Sequence, residues 1–312
     1  VPPRASQTEG KRMKKVAFWV PVRDKADKLT VTVESVLAQT YPHMEIILSD
    51  QGSTDDSLHY MKQLAAQYNG PNKVKIVQCP DTEPRGMAGF NAHLNWLHKN
   101  NDADIVICTS ADDWNHPDRA KRVVEEFERT NASMVGTMIQ FVEPDGSING
   151  VTAFPNESRF VTGKEHLEQR VGGSSSQAWA SDFYERCGPL AGSCIIDVYL
   201  PYLATQDRGF YFLRECLYGY IQHVDPNNTG LGGRLLAAKD GNEKDQINEL
   251  SGYQITSTML MAGRKAEATG LRAKSEDDWA ALVEQIVEYT NTWCLTRDKM
   301  TMNRVNPIPL RA

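Results

Sequence analysis

Residues 104–119 read DIVICTSADDWNHPDR. The apolar run Ile105-Val106-Ile107-Cys108 stops at two adjacent carboxylates, Asp112 and Asp113. Trp114 follows, and Pro117 then sits where the first turn of a helix accepts it. Apolar, β-branched residues closed off by polar turn residues read as a buried strand. In an open α/β sheet, ligands bind just beyond the carboxyl ends of such strands. Two acids there repel each other unless they hold something positive. A divalent metal carrying a phosphorylated substrate meets that need.

The same rhythm extends to both sides. Strand patterns at 16–21, 44–48 and 74–78 alternate with helical patterns at 29–38, 55–68 and 88–98. After the quoted stretch come a helix over 116–130 and a β-rich run over 134–142, closed by the turn Pro144-Asp145-Gly146-Ser147. Repeated βα units predict an α/β fold, with a mainly parallel central sheet flanked by helices. The second half loses this rhythm. GGSSSQAW (172–179) reads as a surface loop, 207–221 as an amphipathic helix and NNTGLGG (227–233) as another loop. Helices are expected over 245–262 and 276–293, with NPIPL (306–310) as an extended tail.

This reading divides the chain into a polar leader (1–12), a nucleotide-binding core (13–145), an acceptor-binding and catalytic part of the same domain (146–240), and a helical C-terminal region (241–312). Met13 is read as the natural start. The 312 residues can bury a substantial core, and 40% hydrophobic with 24% charged residues is ordinary for a globular chain. A net charge of −6 argues against a nucleic-acid surface, which usually carries a basic excess. The six cysteines include no CxxC pair, so buried free thiols in a reducing compartment are expected. No apolar run approaches the ~20 residues of a membrane span, and no signal-peptide pattern opens the chain. A cytoplasmic, soluble protein is the expectation. The histidines form no zinc-type cluster, and no GxxxxGK phosphate loop occurs.

A parallel sheet brings four strand ends to one edge. They are Pro21-Val22-Arg23-Asp24, the segment 49–56 (SDQGSTDD), the segment 85–91 (RGMAGFN) and Ser110-Ala111-Asp112-Asp113. They therefore form one site.

These segments carry a resemblance. PVRDKADKLTVTVESVLAQTYPHMEIILSDQGSTDDS (21–57), RGMAGFNA (85–92) and SADDW (110–114), in this order, resemble the inverting GT-A-fold glycosyltransferases of family 2. The likeness is strong over roughly 15–145 and weak beyond it. It implies a nucleoside-diphosphate-sugar donor, a UDP-sugar foremost, with Mn²⁺ or Mg²⁺ and single displacement at the anomeric carbon. By position it implies that Asp50 accepts a hydrogen bond from the base, and that Pro21, Val22 and Arg23 line the base and ribose pocket. Arg85 would approach the diphosphate or ribose, Asn91 would support the nucleotide wall, and Asp112 would ligate the metal. Ser110, Ala111, Asp113 and Trp114 would complete the donor site. Ser110 stands where the family's motif has its first aspartate, a departure that bears on ribose contact and metal affinity.

The resemblance also implies a general base, an aspartate leading a helix well beyond the metal motif. Gln206-Asp207 within LPYLATQDRGFYFLRECLYGY (200–220) fills that position, with Arg214 on the helix expected to follow. Asp207 is the expected base, its pKa lowered by the helix dipole.

Blander roles stand beside these. Asp50 can cap a turn and Asp207 a helix, Asp112 can be a solvated loop acid, Asp113 can orient the loop or face the acceptor, Arg85 can be a surface charge, and Trp114 and Trp179 can be core rather than sugar-stacking residues. His223 and Arg234 are candidates for a third metal ligand or a diphosphate-contacting cation. Other functions consistent with a nucleotide-binding α/β core are a nucleotidyltransferase, although PVRDKAD is not its Gly-rich basic loop, and a non-catalytic sugar-nucleotide-binding module. The acceptor is a hydroxyl, in a glycan or small molecule foremost. A lipid-linked sugar, a protein side chain or a modified base in DNA stays open. Segments 172–179 and 227–239 are expected to act as lids. The sequence assigns no oligomeric state.

Overall fold

The computed structural model describes residues 12–80, 86–169, 171, 173–190, 192 and 194–223, with short pieces within 258–270 and at 304–305. The expected helix at 276–293, the loop at 227–233 and the tail at 306–310 lie outside them, as does most of 245–262.

The centre of the fold is three parallel strands, β1 (Val16–Val22), β2 (Met44–Asp50) and β4 (Ile105–Cys108). Every residue of β2 and β4 is buried, as is all of β1 except Pro21. Parallel strands covered by helices on both faces need such unbroken apolar runs rather than alternation. β3 (Lys73–Gln78) pairs in parallel with β2 at the edge, where its lysines serve a second purpose. Lys75 reaches Glu45 on β2 at 2.8 Å, and charge on an edge strand discourages pairing with another chain.

Helices connect these strands: α1 (Leu29–Leu37), α2 (Ser57–Gln67) and α3 (Met87–Lys99). Beyond β4 come the short β5 (Trp114–Asn115), α4 (Arg119–Thr130), β6 (Met134–Val142), β7 (Ile148–Thr152) and β8 (Arg159–Val161). Then follow α5 (Gly163–Gln169), β9 (Gln177–Ala180), α6 (Ser181–Cys187), α7 (Ile196–Thr205) and β10 (Phe210–Ile221). The sheet runs β7-β6-β9-β4-β1-β2-β3, and β10 lies parallel on β6. The expected α/β fold with a mainly parallel sheet is therefore present.

Two expectations for the second half are corrected. The described residues of segment 172–179 are not a surface loop, because Ser174–Ser176 is a 3-10 turn and Gln177–Ala180 is the buried strand β9. β9 runs antiparallel between β4 and β6, and its ladders to both neighbours hold a segment too short to show a periodicity of its own. Segment 207–221 is not a helix either. Phe210, Tyr211, Phe212, Tyr218 and Tyr220 favour the pleated surface of a strand. Register shifts between Leu213 and Cys216, and between Cys216 and Tyr218, break the alternation that would have announced it.

Among the described residues no helix is long and apolar enough to cross a membrane. Cys79, Cys108, Cys187, Cys194 and Cys216 are free thiols, as expected.

Candidate active site

The parallel register puts Val22 level with Asp50 and Trp19 level with Cys108. The loops after β1, β2 and β4 therefore open at one edge. The first two are laced together. Asp24 adopts a left-handed φ of 49°, and its Oδ1 accepts the Thr54 N–H at 2.7 Å. Ser53 Oγ accepts the Asp24 N–H at 3.1 Å, Ser57 Oγ the Lys25 N–H at 2.8 Å, and Asp55 Oδ2 the Ala26 N–H at 3.0 Å. Burial alone would raise the pKa of Asp55, but hydrogen bonds from Ser57 and Ala26 outweigh it and hold the carboxyl below its usual range. Much of the GSTDDS segment thus builds the loop before it.

Asp50 is 2% exposed, and its Oδ1 accepts the Ser53 N–H at 3.2 Å, so it fixes this turn. Its neighbour Ser49 bonds His93 Nε2 at 2.6 Å. Burial pulls the His93 pKa down to about 4 against the opposing pull of Asp50, leaving the imidazole neutral at pH 7.

The two acids after β4 face opposite ways. Asp112 Oδ2 lies 2.7 Å from Lys25 Nζ, in a pair with both side chains partly exposed. The backbone carbonyl of Asp112 lies 3.3 Å from His223 Nε2, just past the end of β10. Asp113 is 1% exposed and sealed inside. It accepts the Tyr218 hydroxyl and, at 2.9 Å, the Ile221 N–H. Burial, with Asp112 adjacent, pushes its pKa up to about 7. Asp113 is therefore a tie between the β4–β5 turn and β10, which corrects its expected part in donor binding in favour of the loop-orienting role.

Buried around this turn is a scaffold. Arg119, fully buried at the head of α4, donates to Asn115 and, at 2.6 Å, to the Ser175 carbonyl. Its guanidinium carbon lies 5.3 Å from the centre of the Tyr218 ring, a cation–π distance. Ser175 in turn places its Oγ 2.7 Å from Ser110 Oγ. Trp114 packs on the β10 backbone, where a Cβ at Gly219 would come within 3.2 Å of the indole. Ala111 is buried, as is Val22, while Pro21 is half-buried. The Nε of Arg23 is buried without a partner. Asn91 Nδ2 donates to the carbonyls of Gly192 at 2.9 Å and Cys194 at 2.8 Å. It thereby ties α3 to the segment entering α7. Arg85 and Arg234 lie outside the described residues.

Asp207 is not brought to this edge. It sits in the turn between α7 and β10, bonded to Ser133 Oγ at 2.6 Å and Arg186 at 2.5 Å. Ser133 precedes β6, and its carbonyl accepts the Ala180 N–H at 3.0 Å, while Asp104, just before β4, accepts the Ser181 N–H at 2.9 Å. Ser133 and Asp207 thus stand at the amino ends of β6 and β4, across the sheet from Asp112. The strand character of 210–221 is the cause, since no helix follows Asp207. Trp179 is likewise withdrawn from sugar stacking: it is 1% exposed, and its indole N–H donates to His98 Nε2 at 2.8 Å.

A carboxylate not anticipated from the sequence does reach the carboxyl edge. Asp197 lies in the first turn of α7, and a Cβ on Gly173 would stand 4.0 Å from its Oδ2. Gly173 belongs to the same turn as Ser175. The signal was present as an aspartate leading the run VYLPYLA, ten residues before Asp207.

Among the described residues no three His, Cys, Asp or Glu side chains converge as a metal cage. One outward carboxylate with an imidazole alongside suits Mg²⁺ or Mn²⁺ only when substrate phosphates supply further ligands. The residues fit such a shared site.

Parallel strands ending at one edge, with an acidic turn after β4, place the chain in the GT-A class of folds. The S. aureus TarS fragment 1–349, solved with UDP-GlcNAc, overlays with a TM-score of 0.56 at 11% identity, over 95% of each chain. The mannosyltransferase PcManGT of Pyrobaculum calidifontis, solved with GDP-Man and Mn²⁺, gives 0.53 at 18% identity, over 92% of this chain and 85% of that one. EpsE of Bacillus subtilis is 33% identical over 117 residues, 37% of this chain and 40% of its own length. The family profile for glycosyl transferase family 2 matches residues 18–176, just over half of the chain. The chain belongs to that family.

Proposed function

We propose that this protein transfers a sugar from a nucleoside-diphosphate-sugar, a UDP-sugar foremost, to an acceptor hydroxyl with inversion at the anomeric carbon. The observation that carries the reading is the opposed orientation of Asp112 and Asp113. One acid holds the turn in place, and the other is left facing the loop after β1, where a diphosphate would lie. Family membership and the nucleotide sugars bound by the TarS and PcManGT structures support a donor of this kind.

Negative charge builds on the departing diphosphate in the transition state, so fixed positive charge there lowers the barrier. Mn²⁺ or Mg²⁺ held by Asp112, with His223 beside it, would supply such charge when bound. Lys25 and Arg23 add cationic groups on the loop after β1. Pro21 and Val22 close the end of β1 beneath the base, with Asp50 fixing the turn beside them.

Inversion also needs a base on the face opposite the leaving group. Asp197 takes this role in our reading, because it lies at the carboxyl edge near the 173–176 turn, whereas Asp207 lies at the opposite edge of the sheet. A helix head favours the carboxylate form of an aspartate, the form that can accept the acceptor's proton. Asn91 would act by holding the segment that leads to Asp197. The test is incubation with UDP-, GDP- and TDP-sugars, with and without Mn²⁺, following nucleotide release and the sugar's anomeric configuration in the product. Release from one donor class with an inverted product supports the reading. Nucleotide transfer, or tight donor binding with no turnover for any acceptor, would point to a nucleotidyltransferase or a binding module.

A further inference from the structure

The carboxylate that faces the donor position already has a cation. Lys25 Nζ stands 2.7 Å from Asp112 Oδ2, with 23% and 16% of the two side chains exposed. The lysine is delivered there by a fixed loop. Consecutive backbone N–H groups of Asp24, Lys25 and Ala26 are held by Ser53, Ser57 and Asp55 in turn. None of these bonds involves the Lys25 side chain. The turn carrying Asp112 is equally fixed, through Asp113 to Tyr218 and Ile221 and through Ser110 to Ser175.

The local charge balance is decisive. Ser110 contributes no charge and Asp113 is turned inward, so in this turn a single carboxylate faces a single ammonium. A divalent ion cannot share that oxygen with an ammonium at hydrogen-bonding distance without strong repulsion in a partly buried setting. The ammonium must move away before the metal can bind, and a lysine stem lets it swing to a new partner. The incoming diphosphate offers that partner within the same space.

We propose that Lys25 is the resident counter-cation of Asp112, displaced by a divalent ion only when a nucleotide diphosphate arrives to receive the ammonium. This rests on the donor and metal reading above and adds a binding order to it. Metal alone binds weakly, metal and nucleotide strengthen each other, and by linkage the strengthening is reciprocal.

The test is Mn²⁺ titration of the full chain, read from the spectroscopic signal of free Mn²⁺, with and without UDP. The wild-type protein, Lys25→Met, Lys25→Arg and Asp112→Asn are compared. Lys25→Met keeps the backbone bonds of its loop, so the fold is expected to survive. Without UDP, Lys25→Met should bind Mn²⁺ at least about tenfold more tightly than wild type. The enhancement by UDP should shrink in the same variant, while Lys25→Arg keeps the wild-type pattern. Equal Mn²⁺ affinity for wild type and Lys25→Met, with binding lost in Asp112→Asn, overturns the lysine's role and leaves the metal site standing. Unchanged Mn²⁺ binding in Asp112→Asn overturns both.

Discussion

The Tyr218 hydroxyl donates to the Asp113 carboxylate across 105 residues of sequence, in a fully buried contact. With the Ile221 N–H on the other oxygen, this contact ties the turn after β4 to the long strand β10. The strand is thus the support on which the acidic turn rests, and the back wall of the proposed donor site.

A pH dependence of stability follows. The Asp113 pKa is raised by burial and by Asp112 from an ordinary 3.8 to about 7. Between these values the folded state keeps a proton that the unfolded chain has lost. Stability therefore falls as pH rises through this window, with the full loss reached above about pH 7. Asp113→Asn removes the titration. Melting curves at pH 5 and pH 7.5 should show a decline in wild type that is smaller in the variant by about several degrees.

Asp112→Asn should leave the fold intact, since its carboxylate faces Lys25 and no structural partner. Transfer should fall by on the order of 10²- to 10³-fold. Calorimetric titration with UDP should lose its dependence on Mn²⁺. Unchanged heats would remove Asp112 from the metal site.

Asp197 and Asp207 are separated by one paired experiment. Asp197→Asn should still bind donor but lose transfer by on the order of 10²- to 10⁴-fold. Asp207→Asn should turn over near the wild-type rate while losing about 1–3 kcal/mol of stability, because Arg186 and Ser133 lose a charged partner. Steady-state rates beside urea melts of both variants decide which aspartate is the base.

Trp179→Ala should cost about 3–5 kcal/mol, the usual loss for truncating a buried aromatic. Its ring meets Trp19 edge-on, with centroids 6.1 Å apart, and its indole N–H bonds His98. A sugar-stacking role would instead raise KM at unchanged stability, which chemical denaturation distinguishes.

The first half of the fold was legible because its central strands, β1, β2 and β4, are buried on both faces and read as continuous apolar runs. β10 was not. Its aromatic residues favour a strand, but the irregularities around Cys216 scramble the alternation, and the spacing imitates a helix. The expectation for Asp207 rested on that misreading, because an aspartate was sought at the head of a helix and Asp207 precedes a strand instead. The candidate site was legible where motifs are local, as in the acidic turn Asp112-Asp113 that follows the buried strand β4. Its scaffolding was not, since Arg119 reaches Ser175 and Asp113 reaches Tyr218 only through tertiary packing that no spacing reveals.

The lacing of the loop after β1 by Ser53, Thr54, Asp55 and Ser57 bears on selectivity. A floor fixed at consecutive backbone amides cannot follow ligands of different length. If the proposed donor binds here, the floor would work as a ruler, with the base-binding end set by β1 and β2 and the phosphate end set by Asp112. A nucleoside monophosphate would fall short of the far mark, and a triphosphate would overrun it. Discrimination between them would then be a property of rigid spacing and need no residue dedicated to rejecting either.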